Sequence, residues 1–461
     1  MEVNDYFVIL MFLSFIGLLF TGFPIAFVLG GVAMVFTLVG YFSDIYFGTM
    51  TGLDFSVVGM AANRIYKMMD NWVLVAIPMF IFMGLMLDRS GIAENMMKSM
   101  QNLFGKVRGG LAITVALIGV VLAASTGIVG ASVVLLALLS LPVMLHQGYE
   151  KTLALGTIAA SGTLGILIPP SIMLVIMADQ LALSVGDLFM GAVFPGLILS
   201  FLYIVYILVY GMVRPEAAPL SKERRTFEPR MIWDVFKTVL PCFGLILAVL
   251  GSIFIGMATP TEASGVGALG ATLLAWHNRR LTIDVIKEVV QNTFNTLGFI
   301  FGLFIGATCF ALVLRLLGGD ELILRALTSL PLGPYGVLVV ILLSVFFLGF
   351  FLDWIEISLI ILPLLGPVVS SLGIHIDGHG VVGNAELVWF VVLVAMSLQT
   401  SFLTPPVGFS LFFLMGVATE DTTLGEIYKG IVPFVILQII GLAIVMIWPQ
   451  IVVWLPAVAY R

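Results

Sequence analysis

Two Pro-Pro dipeptides mark the stretches of this sequence in which the backbone itself can bind ligands. They stand at matching places in two similar apolar stretches, GTLGILIPPSIMLVIMA at 162–178 and QTSFLTPPVGFSLFFLMG at 399–416. Each prolyl ring removes its own N–H and clashes with the carbonyl four residues earlier, so both helices are predicted to break there. The carbonyl groups freed in this way are those of Gly165, Ile166, Ser401 and Phe402.

The two breaks predict chemistry with ions. Freed carbonyl oxygens suit a hard cation such as Na+, and the N–H groups that begin the next half-helix favour a carboxylate. Unpaired backbone survives in hydrocarbon only where it is buried in protein or lines a polar cavity. Paired breaks in two halves of a chain are therefore typical of the binding site of a secondary transporter. The alternative is that each Pro-Pro only kinks a structural helix.

Two other apolar stretches, 110–145 and 335–369, carry small or polar centres, AASTGIVGAS and FLDWIEIS. Their arms of about 13 to 15 residues are roughly 20 to 22 Å long as helices, against a hydrocarbon core of about 30 Å. We interpret both as re-entrant helical hairpins; the alternative is two ordinary spans joined by a buried turn. At Gly127 and Gly130, close helix packing is an equal alternative to ion contact. The oxygen ligands expected at the tips and breaks come from Ser125, Thr126, Gly127, Gly130, Ser132, Asp353, Thr400, Ser401, Thr404 and Gly408.

Carboxylates inside these apolar stretches are costly, which makes each one a functional hypothesis. Asp353 and Glu356 lie three residues apart, on one helical face. Asp353 can equally cap the second arm of its hairpin, and Glu262 can cap or complement the start of a helix. Arg315, at the end of a span, is predicted to extend its charge to the interface.

The composition places the chain in a membrane. Of 461 residues, 61% are hydrophobic and only 10% are charged, whereas soluble domains are about half apolar and a quarter charged. The sequence has no GxxxxGK[ST] motif, and its four histidines form no HExxH pattern, so neither ATPase activity nor catalysis is indicated. Cys242 and Cys309 both lie in apolar runs and indicate neither disulfides nor a metal cluster. We predict an all-α polytopic membrane protein that is not an enzyme and that has no organic cofactor and no nucleic-acid partner.

Apolar runs of about 20 residues predict ten membrane crossings. They lie at 6–20, 22–41, 72–87, 152–178, 188–212, 238–255, 260–276, 293–317, 387–417 and 431–455.

Basic residues give the predicted orientation through the positive-inside rule. Three segments rich in Lys and Arg are predicted to be cytoplasmic, while Arg64 and Lys67 fall on the outer side as a mild exception. With ten crossings, both termini lie outside, the first hairpin enters from the cytoplasm and the second from the exterior. The basic residues of the three segments are Arg89, Lys98, Lys106, Arg108, Arg214, Lys222, Arg224, Arg225, Arg230, Arg279, Arg280 and Lys287.

The two halves of the chain repeat the same order of features. Pro24 and Pro260 are 236 residues apart, and so are Pro169 and Pro405. Five crossings per half is an odd number, so the second copy is predicted to insert upside down, as in many alternating-access carriers. We therefore divide the chain into a first inverted repeat at 1–213, a cytoplasmic basic linker at 214–237 and a second repeat at 238–461.

Seven motifs in order resemble the large membrane subunit of a TRAP transporter, over almost the whole chain. They are TGFPIAF, IPMFIFMG, ASTGIVGAS, LGILIPPS, ATPTEA, LGFFLDWIEISLIILP and TPPVGFSLFF. The resemblance implies the ion-transporter superfamily fold, with a scaffold and a mobile elevator domain in the bacterial inner membrane. It also implies uptake of an organic acid driven by about two Na+ ions. The implied partners are a small four-span membrane subunit and a soluble periplasmic binding protein.

The site residues carried over from this resemblance are the following. The first Na+ site is expected at Ser125, Thr126, Gly127, Gly130, Ser132, Gly162, Gly165, Ile168 and Pro169, and the second at Asp353, Gln399, Thr400, Ser401, Thr404 and Pro405. The substrate is expected at Ser132, Ser171, Glu356, Thr404 and Gly408. The DWIEIS variant is more similar to members associated with larger, keto or aromatic acids. The rival hypotheses are a binding-protein-independent anion symporter or exporter of the same superfamily and a proton-translocating subunit of a respiratory complex.

Overall fold

A computed structural model describes residues 3–126, 129–220, 229–378, 380 and 382–459. Within these ranges the regular structure is entirely helical, which confirms the all-α prediction. Four residues named above lie outside the described ranges: Gly127, Lys222, Arg224 and Arg225.

The first half of the chain forms ten helices. In order they are α1 (Val3–Leu19), α2 (Ile25–Phe47), α3 (Ser56–Met69), α4 (Ala76–Arg89), α5 (Ile92–Phe104), α6 (Gly110–Thr126), α7 (Val129–Gln147), α8 (Lys151–Thr163), α9 (Ile172–Gln180) and α10 (Val185–Val213). A 3₁₀ turn, Trp72–Val75, leads into α4.

The described part of the second half forms eleven helices. Its helices are α11 (Pro229–Phe254), α12 (Pro260–His277), α13 (Ile283–Leu316), α14 (Gly319–Thr328), α15 (Pro334–Leu348), α16 (Trp354–Glu356), α17 (Leu362–Ser371), α18 (Ala385–Phe402), α19 (Phe409–Val417), α20 (Leu424–Ile447) and α21 (Gln450–Ala459).

Both predicted helix breaks are present. The first separates α8 from α9 and contains the Pro169–Pro170 peptide, and the second separates α18 from α19 and contains Pro405–Pro406. Single prolines inside other spans, such as Pro195 in α10, leave the helix continuous. Two adjacent prolines remove two successive N–H donors, which one helix cannot absorb.

Two predicted boundaries were wrong. The last crossing, predicted at 431–455, ends at Ile447, because Trp448 and Pro449 separate α20 from α21. The linker predicted at 214–237 is partly helical, since α11 begins at Pro229. The first turns of α11 contain Arg230 and Lys237, so this part of the sequence was predicted to be a loop, although the helix is strongly amphipathic.

Each predicted hairpin contains two helical arms, and three of the four arms are longer than predicted. In the first pair, α6 has 17 residues and α7 has 19. In the second, α15 has 15, while α16, a π-helical turn at Ile357–Ile361 and α17 together run over 18 residues. A helix of 19 residues is about 28 Å long, so arm length alone leaves the alternative of two ordinary spans open.

Nine helices in the described ranges are long and apolar enough to cross a membrane, so the chain is a multi-pass membrane protein. In α18, 89% of the apolar span is buried inside the protein, whereas in α11 and in α20 the buried share of the span is 33%. Around this centre, α2 packs along α13 and α4 packs along α12. Most of α8 and α9 is buried as well, whereas only three residues of α19 are, so α8, α9 and α18 form the interior of the molecule.

Close backbone contact fixes the position of the first broken helix. A methyl group added at Gly156 of α8 would lie 2.1 Å from the carbonyl oxygen of Gly430 in α20. Conversely, a methyl group at Gly430 would lie 2.3 Å from the carbonyl oxygen of Thr152. Small residues at such crossings allow transmembrane helices to approach through their backbones.

Candidate functional site

The first break is closed by a serine. After α8 ends at Thr163, a 3₁₀ turn at Leu164–Ile166 leads into the Pro-Pro segment. The fully buried Ser171 hydroxyl donates to the carbonyl oxygen of Ile166 at 2.7 Å. This is one of the carbonyls that the prolines were predicted to free. Ser171, expected to bind substrate, therefore caps the broken helix here.

At the second break a serine hydroxyl again donates to a backbone carbonyl, here eight residues earlier in the chain instead of five. The buried Ser410 hydroxyl donates to the carbonyl oxygen of Phe402 at 2.7 Å, and Thr404 donates to that of Thr400 at 2.7 Å. Gly408 precedes α19 with φ +55°, the left-handed region that favours glycine. Unlike the first break, this one is partly open, since Thr404 and Pro405 are half-buried and Pro406 is exposed.

The first hairpin packs against the first break. A methyl group added at Gly162 would lie 2.4 Å from Cγ2 of Val133, which places the end of α8 on the start of α7. The 3₁₀ turn that contains Gly165 also contacts both α6 and α7. Ser132, the fourth residue of α7, is fully buried.

The same hairpin also reaches the second half of the chain. A methyl group at Gly130 would lie 2.7 Å from Cζ of Phe413 in α19. Gly130 thus has a packing role, the alternative that the sequence left open. Ser125 and Thr126 are the last two residues of α6, and the predicted tip residue Gly127 lies outside the described residues.

Two serines attach the second hairpin to the second break. The Ser397 hydroxyl donates to the carbonyl oxygen of Leu342 at 3.0 Å, and the Ser401 hydroxyl donates to that of Phe346 at 2.9 Å. The two donors are four residues apart in α18, and the two acceptors are four residues apart in α15. One turn of α18 is therefore bonded to one turn of α15. The end of α15 also approaches closely, since a methyl group at Gly349 would lie 2.6 Å from Oγ of Ser401.

A chain of buried polar side chains links the two broken helices. Nε2 of Gln399 donates to Oγ1 of Thr163 at 3.4 Å, and the two residues are 236 positions apart, the offset between the two Pro-Pro pairs. Gln438 of α20 donates to the Tyr203 hydroxyl of α10 at 2.8 Å. Sequence reasoning missed Thr163, Tyr203 and Gln438. The sequence signal that could have found the last two is a polar side chain within an otherwise apolar span, Tyr203 in α10 and Gln438 in α20.

The two carboxylates of the second hairpin have different surroundings. Asp353 is the N-cap of α16, and its Oδ1 accepts from the Trp354 N–H at 2.8 Å, so its capping role is present. Glu356 is 1% exposed, and neither carboxylate oxygen has a hydrogen bond of normal geometry to any described residue. The donors nearest to it are the backbone N–H groups of Asp353 and Glu356 itself.

Two exposed helix starts show what Glu356 lacks. At α12, Oε2 of Glu262 accepts from the Thr259 N–H at 2.8 Å while the Thr259 hydroxyl caps the helix, so the capping alternative for Glu262 is correct. At α20, Thr423 and Glu426 form the same closed capping box. Glu356 stands at the same position relative to Asp353, but its box is not closed.

A π-helical turn, Ile357–Ile361, follows Glu356 directly. Pro363 cannot donate to the carbonyl four residues earlier, and the wider turn accommodates its ring. Such turns within α-helices are frequent at functional sites. The second arm is therefore irregular at the point where its carboxylate is buried.

Two groups of predicted ligands thus come together. One is the first hairpin with the first break, and the other is the second hairpin with the second break. The hydroxyls of Thr400, Ser401 and Thr404 all donate to backbone carbonyls, but each oxygen keeps lone pairs that can face a cation. The arrangement supplies neutral oxygens at both breaks, and the two carboxylates lie at the start of α16, which contacts α9 and α13.

Comparison with known proteins identifies the family. The family described as "Tripartite ATP-independent periplasmic transporter, DctM component" matches residues 12–451. The chain belongs to this DctM family of TRAP transporters. It is the large membrane subunit of a tripartite transporter, and its relatives are permease subunits rather than enzymes.

Relatives of this DctM protein differ in the solutes for which they are named. The chain is 28% identical to the C4-dicarboxylate TRAP transporter large permease protein DctM of Vibrio cholerae, over 97% of both chains. It is 28% identical to the sialic acid permease SiaM of the same organism, over 96% of this chain and 97% of the relative. It is 26% identical to the ectoine permease TeaC of Halomonas elongata, over 98% and 99%.

Solved structures of more distant transporters share the fold. The Alcanivorax borkumensis YdaH transporter has a TM-score of 0.59 at 14% identity, covering 86% of this chain and 87% of that one. Neisseria gonorrhoeae MtrF has a TM-score of 0.55 at 12% identity, covering 85% and 84%. At such low identity the likeness concerns the fold alone.

Proposed function

We propose that this DctM-family protein is the Na+-coupled permease subunit of a binding-protein-dependent importer of an organic acid in the bacterial inner membrane. The observation that carries the proposal is the pair of helix breaks, each packed against the end of a helical hairpin and joined through Thr163 and Gln399. Discontinuous helices of this kind bind ions and substrates in secondary transporters.

Two Na+ ions would bind at the two breaks. At the first, backbone carbonyls of the 162–170 segment and the first hairpin tip would supply neutral oxygens. At the second, the hydroxyls of Thr400, Ser401 and Thr404 would act together with the charge of Asp353. Hard cations prefer such oxygen ligands, and a cation near Glu356 would offset the charge of a carboxylate that is 1% exposed.

Transport would proceed by an elevator movement. The hairpins and broken helices form the proposed mobile unit, and the pairs α2–α13 and α4–α12 form the proposed scaffold. Support comes from the serine bonds that attach α18 to α15 and from the close contact of Gly162 with Val133, which tie each hairpin to its broken helix. Hairpin and broken helix would therefore move together.

The partners would be a small four-span membrane subunit and a soluble periplasmic binding protein that delivers the substrate. The substrate would be an organic acid; relatives are named for C4-dicarboxylates, sialic acid and ectoine. Selection would occur mainly in the binding protein. A thermal-shift screen of organic acids against that partner is therefore the way to identify the substrate.

Reconstituted uptake tests the proposal. With all three components in proteoliposomes, uptake of the acid chosen by that screen should require an inward Na+ gradient. Uptake that persisted undiminished without the gradient would refute the proposal. Transport by this chain alone would instead favour a binding-protein-independent symporter or exporter.

Two substitutions separate ion binding from folding. Asp353→Ala and Thr404→Val should raise the Na+ concentration for half-maximal uptake while leaving the yield of folded protein nearly unchanged. If folded protein and transport fell in parallel, the two residues would be structural. Ser344→Ala is a matched control, because this exposed hydroxyl of α15 bonds only within its own helix, to the carbonyl of Val340.

A further inference from the structure

A basic cavity lies beside the second hairpin, away from the paired breaks. It encloses about 320 Å³ between α3, α9, α13 and the start of α17. This volume lies at the low end of the range for ligand pockets, about 300 to 1,000 Å³. The residues that line it include three cations, Arg64 and Lys67 of α3 and Arg315 of α13.

Among the described residues, two of these cations form no ion pair with a carboxylate. Arg315 forms an ion pair with Asp320 at 3.3 Å. In the part of the chain that the structure describes, no carboxylate oxygen lies within ion-pair distance of Arg64 or Lys67. Because they are three residues apart on α3, they share one face of that helix.

The acid in the wall of the cavity is already engaged. Oδ1 of Asp179 accepts from Nδ2 of Asn71, and Oδ2 accepts from Gln180 at 3.1 Å. These amides satisfy the carboxylate without adding positive charge. Asp179 keeps its negative charge, so the three cations of the lining, set against Asp179 and the ion-paired Asp320, leave one net positive charge that attracts anions.

The cavity also extends inward along α13. Its lining follows one stripe of that helix from Arg315 through Thr308 to Phe304, about 16 Å of helix axis at 1.5 Å per residue. Opposite lie Leu359 and Pro363, and Leu359 is in the π-helical turn that follows Glu356. The basic end and the second hairpin thus belong to one cavity.

We propose that this cavity is a carboxylate-binding vestibule, in which Arg64 and Lys67 hold an organic acid at the scaffold before it reaches the hairpin site. The inference rests on the proposed function for the role of the acid as substrate. The guanidinium of Arg64 matches the two oxygens of a carboxylate, and Lys67 adds a point charge. Its chemistry is that of an oxyanion site, so lipid headgroups are tested as a separate source.

Charged thiol reagents test the vestibule without any knowledge of the substrate. In the complex with Cys242 and Cys309 replaced by alanine, Thr308→Cys places a thiol on the cavity wall. The quantity measured is the reagent ratio, the rate of reaction with the negatively charged ethylsulfonate methanethiosulfonate divided by the rate with its positively charged trimethylammonium counterpart. This ratio should be higher in the Thr308→Cys variant than in a variant that also carries Arg64→Gln and Lys67→Gln. Two unit charges a few ångströms away change this ratio by on the order of tenfold or more in water. Ala311→Cys provides a second reporter if the first variant folds poorly.

Protection by solutes identifies the ligand. Succinate should slow modification, the neutral succinamide should not, and the double glutamine variant should lose the protection. Lys287→Gln, a basic residue of α13 far from the cavity, is the matched control and should leave the reagent ratio unchanged. An unchanged ratio in the double variant, or equal protection by succinamide, would overturn the proposal.

Lipid and coupling are tested separately. The reaction is repeated in nanodiscs of phosphatidylcholine and of phosphatidylglycerol. Protection by phosphatidylglycerol but not by succinate would show a lipid site and overturn the solute vestibule. The reagent ratio does not depend on Na+ coupling. Failure of Na+-driven uptake would therefore not refute the vestibule, and an unchanged reagent ratio would not refute the proposed Na+-coupled uptake.

Discussion

Replacement of Glu356 should make the protein more stable and less active. Its carboxylate is 1% exposed and has no closed hydrogen bond among the described residues. Replacing even a buried ion pair by apolar residues of similar volume is often neutral or stabilising by about 1 to 4 kcal/mol, and a carboxylate without a cation partner has less attraction to lose. A methionine preserves the volume and the helix, so Glu356→Met is the informative change.

One favourable term opposes this gain. Glu356 lies in the first turn of α16, where a negative charge near the helix N-terminus contributes about 0.3 to 1 kcal/mol. The net expectation for Glu356→Met is therefore a stabilisation of about 0 to 4 kcal/mol in Na+-free buffer. The corresponding rise in the unfolding midpoint should be a few degrees, measured by intrinsic fluorescence in detergent.

A matched variant gives the opposite sign. Glu262 occupies the same position in a helix start, but its carboxylate closes an exposed capping box with Thr259. Glu262→Met should therefore lower the midpoint. Transport should be lost in Glu356→Met and retained in Glu262→Met. If Glu356→Met lowered the midpoint as Glu262→Met does, the carboxylate would be a structural cap and its proposed functional role would be refuted.

Other predictions concern packing and the buried polar chain. Gly156→Ala should lower the unfolding midpoint sharply, because its methyl group would lie 2.1 Å from the carbonyl oxygen of Gly430; an unchanged midpoint would contradict the close contact. Ser401→Ala should destabilise the protein by about 1 kcal/mol and speed proteolysis of the second hairpin, since it removes one of the two bonds to α15; unchanged protease resistance would argue against the attachment. Tyr203→Phe should cost about 1 to 3 kcal/mol by leaving the Gln438 amide buried without its partner. Adding Gln438→Leu should recover part of that loss in chemical denaturation, and strictly additive losses would mean that the two side chains are not coupled.

The features predictable from sequence were those that act through local chemistry. Adjacent prolines remove two donors whatever surrounds them, so both breaks stand where the dipeptides placed them. Apolar run length likewise located most spans. It misplaced the end of α20, because the Trp448–Pro449 boundary is as apolar as the spans on either side.

The contacts between distant segments were not predictable in the same way. The bond between Gln399 and Thr163 and the bond between Tyr203 and Gln438 depend on how four helices cross. Nothing in a linear pattern gives that geometry. The capping role of Asp353 was foreseeable, but the open, buried state of Glu356 depends on its tertiary surroundings.

The central claim is that the two breaks each carry a Na+ ion that moves with the substrate. The most direct test is the coupling ratio in proteoliposomes that contain all three components, obtained from the membrane potential at which net flux reverses under known Na+ and substrate gradients. We expect two Na+ ions per substrate molecule, and a lower ratio when Asp353 is replaced by alanine. A reversal potential that did not change with the Na+ gradient would contradict the account.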